Sequence, residues 1–370
     1  MIKYWLLAVS LVMAAGTAHA TKSRLEALGQ EASGSFFIKD ERNIFLNPAY
    51  IHNVDRRLTL EWGAAGSATK VDATATPKAE GGWYNGKNDM PYAFYLGNED
   101  EDAITYRNTA STSFLKPDNT VDFTWGAAGS SMNKWGFGVG FSKNKDEVTG
   151  GIDRSETFAS VRAGVLLGDR WEVFGHFHLL DEADGAAADG DEYKGGLGLM
   201  LAGVYNHDRY RIYGQLAKKD AEYTPSGASS LDISAMIITA GAARVNELSS
   251  NAFLFYYAEL NRSTVETDTA PAVSTETETT QIELGFGVEG QVKDWLSLRG
   301  SVMQGVLLND TSTKTTGTPS ADQSVADTTA VAAGLSIHFD AFKLDGSFTT
   351  TGGTLNAGNI MSRVGMTYAY

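Results

Sequence analysis

Apolar side chains return at every second position through most of the sequence beyond Val54, in runs longer than an ordinary sheet uses. In NKWGFGVGFSK (133–143), Trp135, Phe137, Val139 and Phe141 share one face, and Gly136, Gly138 and Gly140 share the other. In QIELGFGVEGQV (281–292), Ile282, Leu284, Phe286 and Val288 oppose Gln281, Glu283, Glu289 and Gln291. In EYKGGLGLMLAGVY (192–205), Tyr193, Leu197, Leu199, Leu201 and Tyr205 form the apolar face, ringed at both ends. A period of two is the pleat of a strand with one greasy face and one polar or small face. Both a soluble sandwich and a closed barrel in lipid use such strands. Length separates them, because these runs extend over ~9–14 residues, whereas soluble strands average ~5–6 and bilayer-crossing strands need ~9–11.

Sixteen runs are read: 57–65, 79–86, 90–97, 119–129, 133–144, 154–167, 170–180, 191–206, 208–219, 230–246, 250–264, 279–292, 295–309, 327–340, 341–351 and 359–370. Fourteen also fits, since 57–118 is the least regular stretch. Short turns at 168–169, 207–208, 293–294 and 340–341 alternate with long polar segments at 181–192, 263–280 and 309–327. Short inner turns and long outer loops are the pattern of an outer-membrane barrel. The expected fold is an all-β, transmembrane antiparallel β-barrel over 57–370.

Residues 1–20 carry Lys3, an apolar run from Trp5 to Ala15 and Ala18-His19-Ala20, which read as a secretory signal cleaved before Thr21. The apolar run is shorter than the ~20 residues a membrane helix needs. The absence of cysteine rules out disulfides and thiolate metal sites, and a net charge of -15 argues against nucleic acid as a partner. No cofactor is implied.

The last eight residues, RVGMTYAY, place Val364, Met366, Tyr368 and Tyr370 on one face, and Arg363, Gly365 and Thr367 on the other. This reads as the closing strand. It also resembles the C-terminal signal of outer-membrane proteins that the barrel-assembly machinery reads, with Arg363, Gly365, Tyr368 and Tyr370 filling its specified positions. The segment RLEALGQEASGSFFIKDERNIFLNPAYI (24–51), followed by Leu60-Glu61-Trp62-Gly63, resembles the mature N-terminus of the porin-like major outer-membrane proteins of predatory deltaproteobacteria. More distantly, Asn47-Pro48-Ala49 resembles part of the hatch of long-chain fatty-acid transporters. These likenesses imply an outer-membrane barrel in contact with lipid and lipopolysaccharide, and the porin analogy implies a homo-trimer.

Residues 21–56 are too apolar for a free tail, with Leu25, Leu28, Phe36, Phe37, Ile44, Phe45 and Leu46 among them. Two readings stand open: a partial plug in the lumen, or a cover across the periplasmic mouth. Strand parity turns Glu156, Arg162, Glu172, His176, His178, Lys194, Arg211, Arg244, Glu283, Glu289 and Arg299 toward the lumen. Inward acids and bases then balance, so the wall is expected to be near neutral. The surplus negative charge falls to loop acids such as Asp181 and to Glu99, Asp100, Glu101 and Asp102. The loop 98–119, which also holds Arg107, is the candidate for a constriction folded inward, with an ordinary surface loop as the alternative. His176 and His178 have no third ligand in their neighbourhood of the sequence, so no metal site is expected. No GxSxG motif or rim Asp/His pair is legible, so no enzyme is expected either. The functional expectation is passive diffusion of small hydrophilic solutes and ions with a weak cation preference. A plugged transporter for hydrophobic molecules, favoured by Phe253 and Phe255, and a structural or adhesive barrel are the alternatives.

Overall fold

A computed structural model describes residues 21–63, 78–87, 89–111, 114–128, 133–147, 153–185, 190–269, 273–318, 320–324, 329–351 and 363–370. The signal segment 1–20 and the strand ends proposed at 64–65, 129, 327–328 and 359–362 lie outside the described residues. Sixteen antiparallel strands close into one barrel. They are β1 (Arg57–Gly63), β2 (Lys78–Asn85), β3 (Tyr92–Asn98), β4 (Thr120–Ala128), β5 (Asn133–Asp146), β6 (Arg154–Leu167) and β7 (Trp171–Asp184). Then come β8 (Glu192–Gly195 with Gly198–His207), β9 (Tyr210–Thr224), β10 (Leu231–Ser249), β11 (Ala252–Thr269) and β12 (Val273–Lys293). The last four are β13 (Leu296–Thr315), β14 (Ala321–Ser324 with Thr329–Phe339), β15 (Phe342–Thr351) and β16 (Arg363–Ala369). Strand β1 pairs with β2 on one side and β16 on the other, with Leu58 opposite Tyr368 and Trp62 opposite Val364. Closure removes the edges that would otherwise present unpaired amides to hydrocarbon.

The greasy faces point outward. Leu58, Leu60, Phe137, Val139, Phe141, Ile212, Leu216, Leu284, Phe286, Val302 and Leu335 are all exposed. Rings gather at the short-turn end, where Trp83 meets Tyr92 and Trp171 meets Tyr205 at 5.3 and 4.5 Å between centroids. This is the outward apolar band and aromatic girdle of a barrel in a bilayer.

Three expectations need correction. The Thr-rich segments 263–280 and 309–327 are largely strand rather than loop. Strands β11 and β12 stay paired out to Thr269 and Val273, and β12 and β13 out to Thr275 and Thr315. Alternating β-branched threonines suit a pleated surface, and pairs such as Thr279–Thr311 bond across it. Lys194 and Arg244 face outward, not into the lumen. Lys194 pairs with Glu192 at 2.7 Å on the exposed surface, while Arg244 lies over the Tyr210 ring at 5.2 Å in the girdle. On β10 the inward face belongs to Thr239 and Ala243, so small outward alanines misled the assignment by charge. Tyr193 faces inward and is fully buried. The register of β9 changes between its partners Leu199 and Gly195, so Tyr193 and Tyr205 lie on opposite faces.

Candidate functional site

Residues 21–56 sit inside the barrel. Helix α1 (Lys22–Ala27) is capped by the Thr21 hydroxyl, and two short 3-10 turns follow at Glu41–Phe45 and Pro48–Asn53. Asn47 accepts from the Ala49 amide at 3.1 Å, and Pro48 takes the first helical position, so Asn-Pro-Ala is a capped helix start. Buried ion pairs tie this segment to the wall: Lys22 to Glu80 at 2.6 Å, Arg24 to Glu289 at 2.8 Å and Arg57 to Glu41 at 2.7 Å. Arg42 is buried between Glu80 at 3.0 Å, Asn98 at 2.6 Å and the Phe45 ring. Phe37 packs among Tyr213, Phe255 and Tyr257, so the inward rings of β9 and β11 buttress this segment. Burial of one such ring contributes ~1.5–3 kcal/mol.

The inward glycines of β5 make room for it. A β-carbon at Gly136 would overlap the backbone of Pro48 and Ala49, whereas one at Gly138 would meet only ordinary contacts. Gly136→Val is expected to cost ~1–3 kcal/mol of docking and to raise single-channel conductance in planar bilayers, with Gly138→Ala unchanged. Equal conductance in both variants would refute this seating.

The loop after β3 also turns inward. Its helix α2 (Glu101–Ala110) starts at Asp100, whose carboxylate accepts from the Ala103 amide at 3.0 Å. Arg107 is buried on the inner side of the wall, 2.6 Å from Asp181 and 3.1 Å from Glu156. Asp181 also pairs with Lys219, and Phe114 packs on Tyr193. Asp181 reaches this cluster because a bulge shifts the register between Ala159 and Ser160, where Leu180 and His178 are their partners. Bulges re-aim side chains in this way, so Asp181 is an interior group and not a loop acid.

Two chambers flank the N-terminal segment. The one on its long-loop side, about 300 Å³, is lined by Glu31, Glu99, Asp100, Glu101, Asp102, Glu259 and Glu283, with Arg162 and His176 among them. The other, about 750 Å³ at the short-turn end, has Lys39, Tyr50, Lys134, Glu172 and Arg211 around it. Glu172 accepts from Tyr50 at 3.0 Å and Asn206 at 2.9 Å, and Arg211 donates to the Asp208 carbonyl at 3.0 Å.

The interior is not neutral by region, as parity implied. Bases on the wall are consumed in pairs: Arg299 with Asp345 at 3.0 Å and Glu289 at 3.2 Å, Arg363 with Glu26 at 3.0 Å, and Arg162 with Asp122. Lys194 and Arg244 leave the interior altogether. The long-loop chamber therefore keeps an excess of carboxylates. Glu31 is exposed to that chamber, and the protein packed around it, with Glu101 and Asp102 close by, pushes its carboxyl up.

At the C-terminus, Gly365 lies against Thr21, the Tyr368 ring packs tilted against Phe342 at 4.6 Å, and the Tyr370 hydroxyl accepts from the Trp83 indole. Sequence reasoning missed Arg24, Arg42, Asp181 and Lys219 as interior anchors. The adjacent Leu179-Leu180, which breaks the alternation of GHFH, was the available signal for Asp181.

Neither a protein-family model nor a curated protein matches the sequence. Among solved structures the chain is similar to a bacterial polysaccharide outer membrane secretin, at 10% identity and TM-score 0.44 over 86% of this chain and 99% of the other. It is similar to a porin at 10% identity and TM-score 0.40, over 85% and 99%. A Pseudomonas aeruginosa FadL homologue aligns at 11% identity and TM-score 0.39, over 91% and 96%. At such identity and superposition the likeness adds nothing to the barrel seen directly. The resemblance of residues 24–51 to the deltaproteobacterial porin-like proteins rests on those residues alone.

Proposed function

We propose that the chain is an outer-membrane channel of narrow bore for small hydrophilic solutes, preferring cations. The apolar outer band and aromatic girdle support the membrane, and the predicted export signal supports the compartment. The observation that carries the cation preference is the long-loop chamber, where seven carboxylates face Arg162 as the sole Lys or Arg among the lining residues. Carboxylates enclosed by protein are screened by salt less than those on a loop surface. The seat of selectivity is thus the interior and not the outer loops. Solutes pass around the N-terminal segment, which with α2 sets the bore. The inward rings Phe253, Phe255 and Tyr257 belong to the buttress of that segment, which weighs against their use as a track for hydrophobic cargo.

Reversal potentials across planar bilayers under a KCl gradient test this. The expected result is potassium over chloride at pH 8, weakening as pH falls to 5. The sign follows from Glu31 and Asp102, whose carboxyls are both raised in this chamber, so both lose charge as pH falls from 8 to 5. Glu31→Gln should shrink the pH dependence, and Glu31→Gln with Asp102→Asn should shrink it further. Chloride preference at pH 8 would overturn the reading.

A further inference from the structure

Two histidines on one strand and one acid on the inward loop converge where neither segment alone has a ligand set. His176 and His178, on β7, place their imidazoles 4.6 Å apart at 83°. Asp100, the residue that caps α2, brings one carboxylate oxygen 3.5 Å from His176 Nε2 and the other 3.3 Å from His178 Nε2. One donor atom from each of the three lies within 4.8 Å of the other two. His176 Nε2 is buried and has no hydrogen-bond partner. Zinc bonds of ~2.05 Å at tetrahedral angles set neighbouring donors ~3.3 Å apart, so both His–Asp spacings are near that value, and small side-chain rotations would bring one donor from each residue, now within 4.8 Å, onto one ion.

We propose that Asp100, His176 and His178 form a binding site for a divalent transition-metal ion of the zinc type, which latches the inward loop to the barrel wall. Two imidazoles and a carboxylate suit zinc, leaving a fourth position for water. Asp102 and Tyr106 border the same small cavity beside the histidines, so a polar outer shell is present. Lys219 opposes the ion. Its ammonium is 3.4 Å from His178 Nδ1, which carries the ring proton once Nε2 holds metal. Asp181, paired with Lys219, offsets that charge. The site shares Asp100 and His176 with the lining of the long-loop chamber, but its test reads metal binding and not what crosses the lumen, so the two readings can fail separately.

Cobalt(II) alone, added to the untagged, folded protein in detergent, is the direct probe. A stoichiometric visible absorption band of tetrahedral or five-coordinate cobalt, bleached by one equivalent of zinc, is the expected result. His176→Gln and Asp100→Asn should each weaken binding about 100-fold. His207→Gln, on the remote short-turn rim, should leave it unchanged. Heat-modifiable migration on gels checks that each variant is folded. Zinc should also slow protease cleavage within 98–119 in the wild type, but not in His178→Gln. No cobalt band in the wild type, or an equal band in folded His176→Gln and Asp100→Asn, would overturn the site.

Discussion

Deletion of residues 22–54 is expected to raise single-channel conductance several-fold while leaving a folded, heat-modifiable barrel. Barrels of about this strand number leave an aqueous channel when nothing occupies them. In this chain the space is taken by α1, the two 3-10 turns and the rings of Phe36 and Phe37 against β7, β9 and β11. The deletion strips partners from Glu80 and Glu289, and a single lost partner in a dry interior costs ~3–5 kcal/mol. Water entering the emptied lumen solvates those carboxylates, so the barrel itself should survive. Selectivity should change with it, because Glu31 leaves, Glu80 loses Lys22 and Arg42, Glu61 loses Arg42, and Glu289 keeps only Arg299. The measurement is conductance together with reversal potential in the same bilayers. Unchanged conductance would mean that these residues do not limit the current, and the plug reading would fall.

Arg107→Met is expected to release α2 from the wall. Arg107 holds Asp181 and Glu156 together and also donates to the Leu115 carbonyl at 2.7 Å, closing the loop on itself. Methionine keeps much of the volume but leaves two buried carboxylates facing each other with Lys219 as the remaining cation. The expected loss of loop docking is ~3–5 kcal/mol, enough to populate an undocked loop. Protease cleavage within 98–119 and open-channel current noise should both increase. Adding Glu156→Gln to Arg107→Met should recover part of the docking, because Asp181 then keeps Lys219 as its partner and no second carboxylate faces it. If single and double variants are cleaved alike, the ion cluster is not what holds the loop.

The barrel was legible because lipid demands a strict alternation and long strands, and residues such as Trp135 to Phe141 show both. All sixteen strands were located, even in the irregular stretch 57–118. The interior was less legible for a physical reason. Parity assigns faces only while the pleat is unbroken, and the Leu179-Leu180 bulge moved Asp181 inward. Charge was a poor guide on β10, where alanines occupy the outward face and Arg244 sits among rings at the bilayer rim. Pairings such as Arg24 with Glu289 join residues far apart in the chain, and periodicity is silent about them. For loop 98–119 the sequence left an inward constriction and a surface loop both open, and its partners on β6, β7 and β9 required coordinates.

The Thr-rich continuation of β11, β12 and β13 carries these strands well past the apolar band. From Arg262 to Thr269 alone, the strand runs roughly 25 Å beyond the last outward leucine. A ribbon of this kind has no core of its own and borrows its order from the cylinder beneath. A particle approaching the barrel from this end meets that ribbon before it reaches the cylinder.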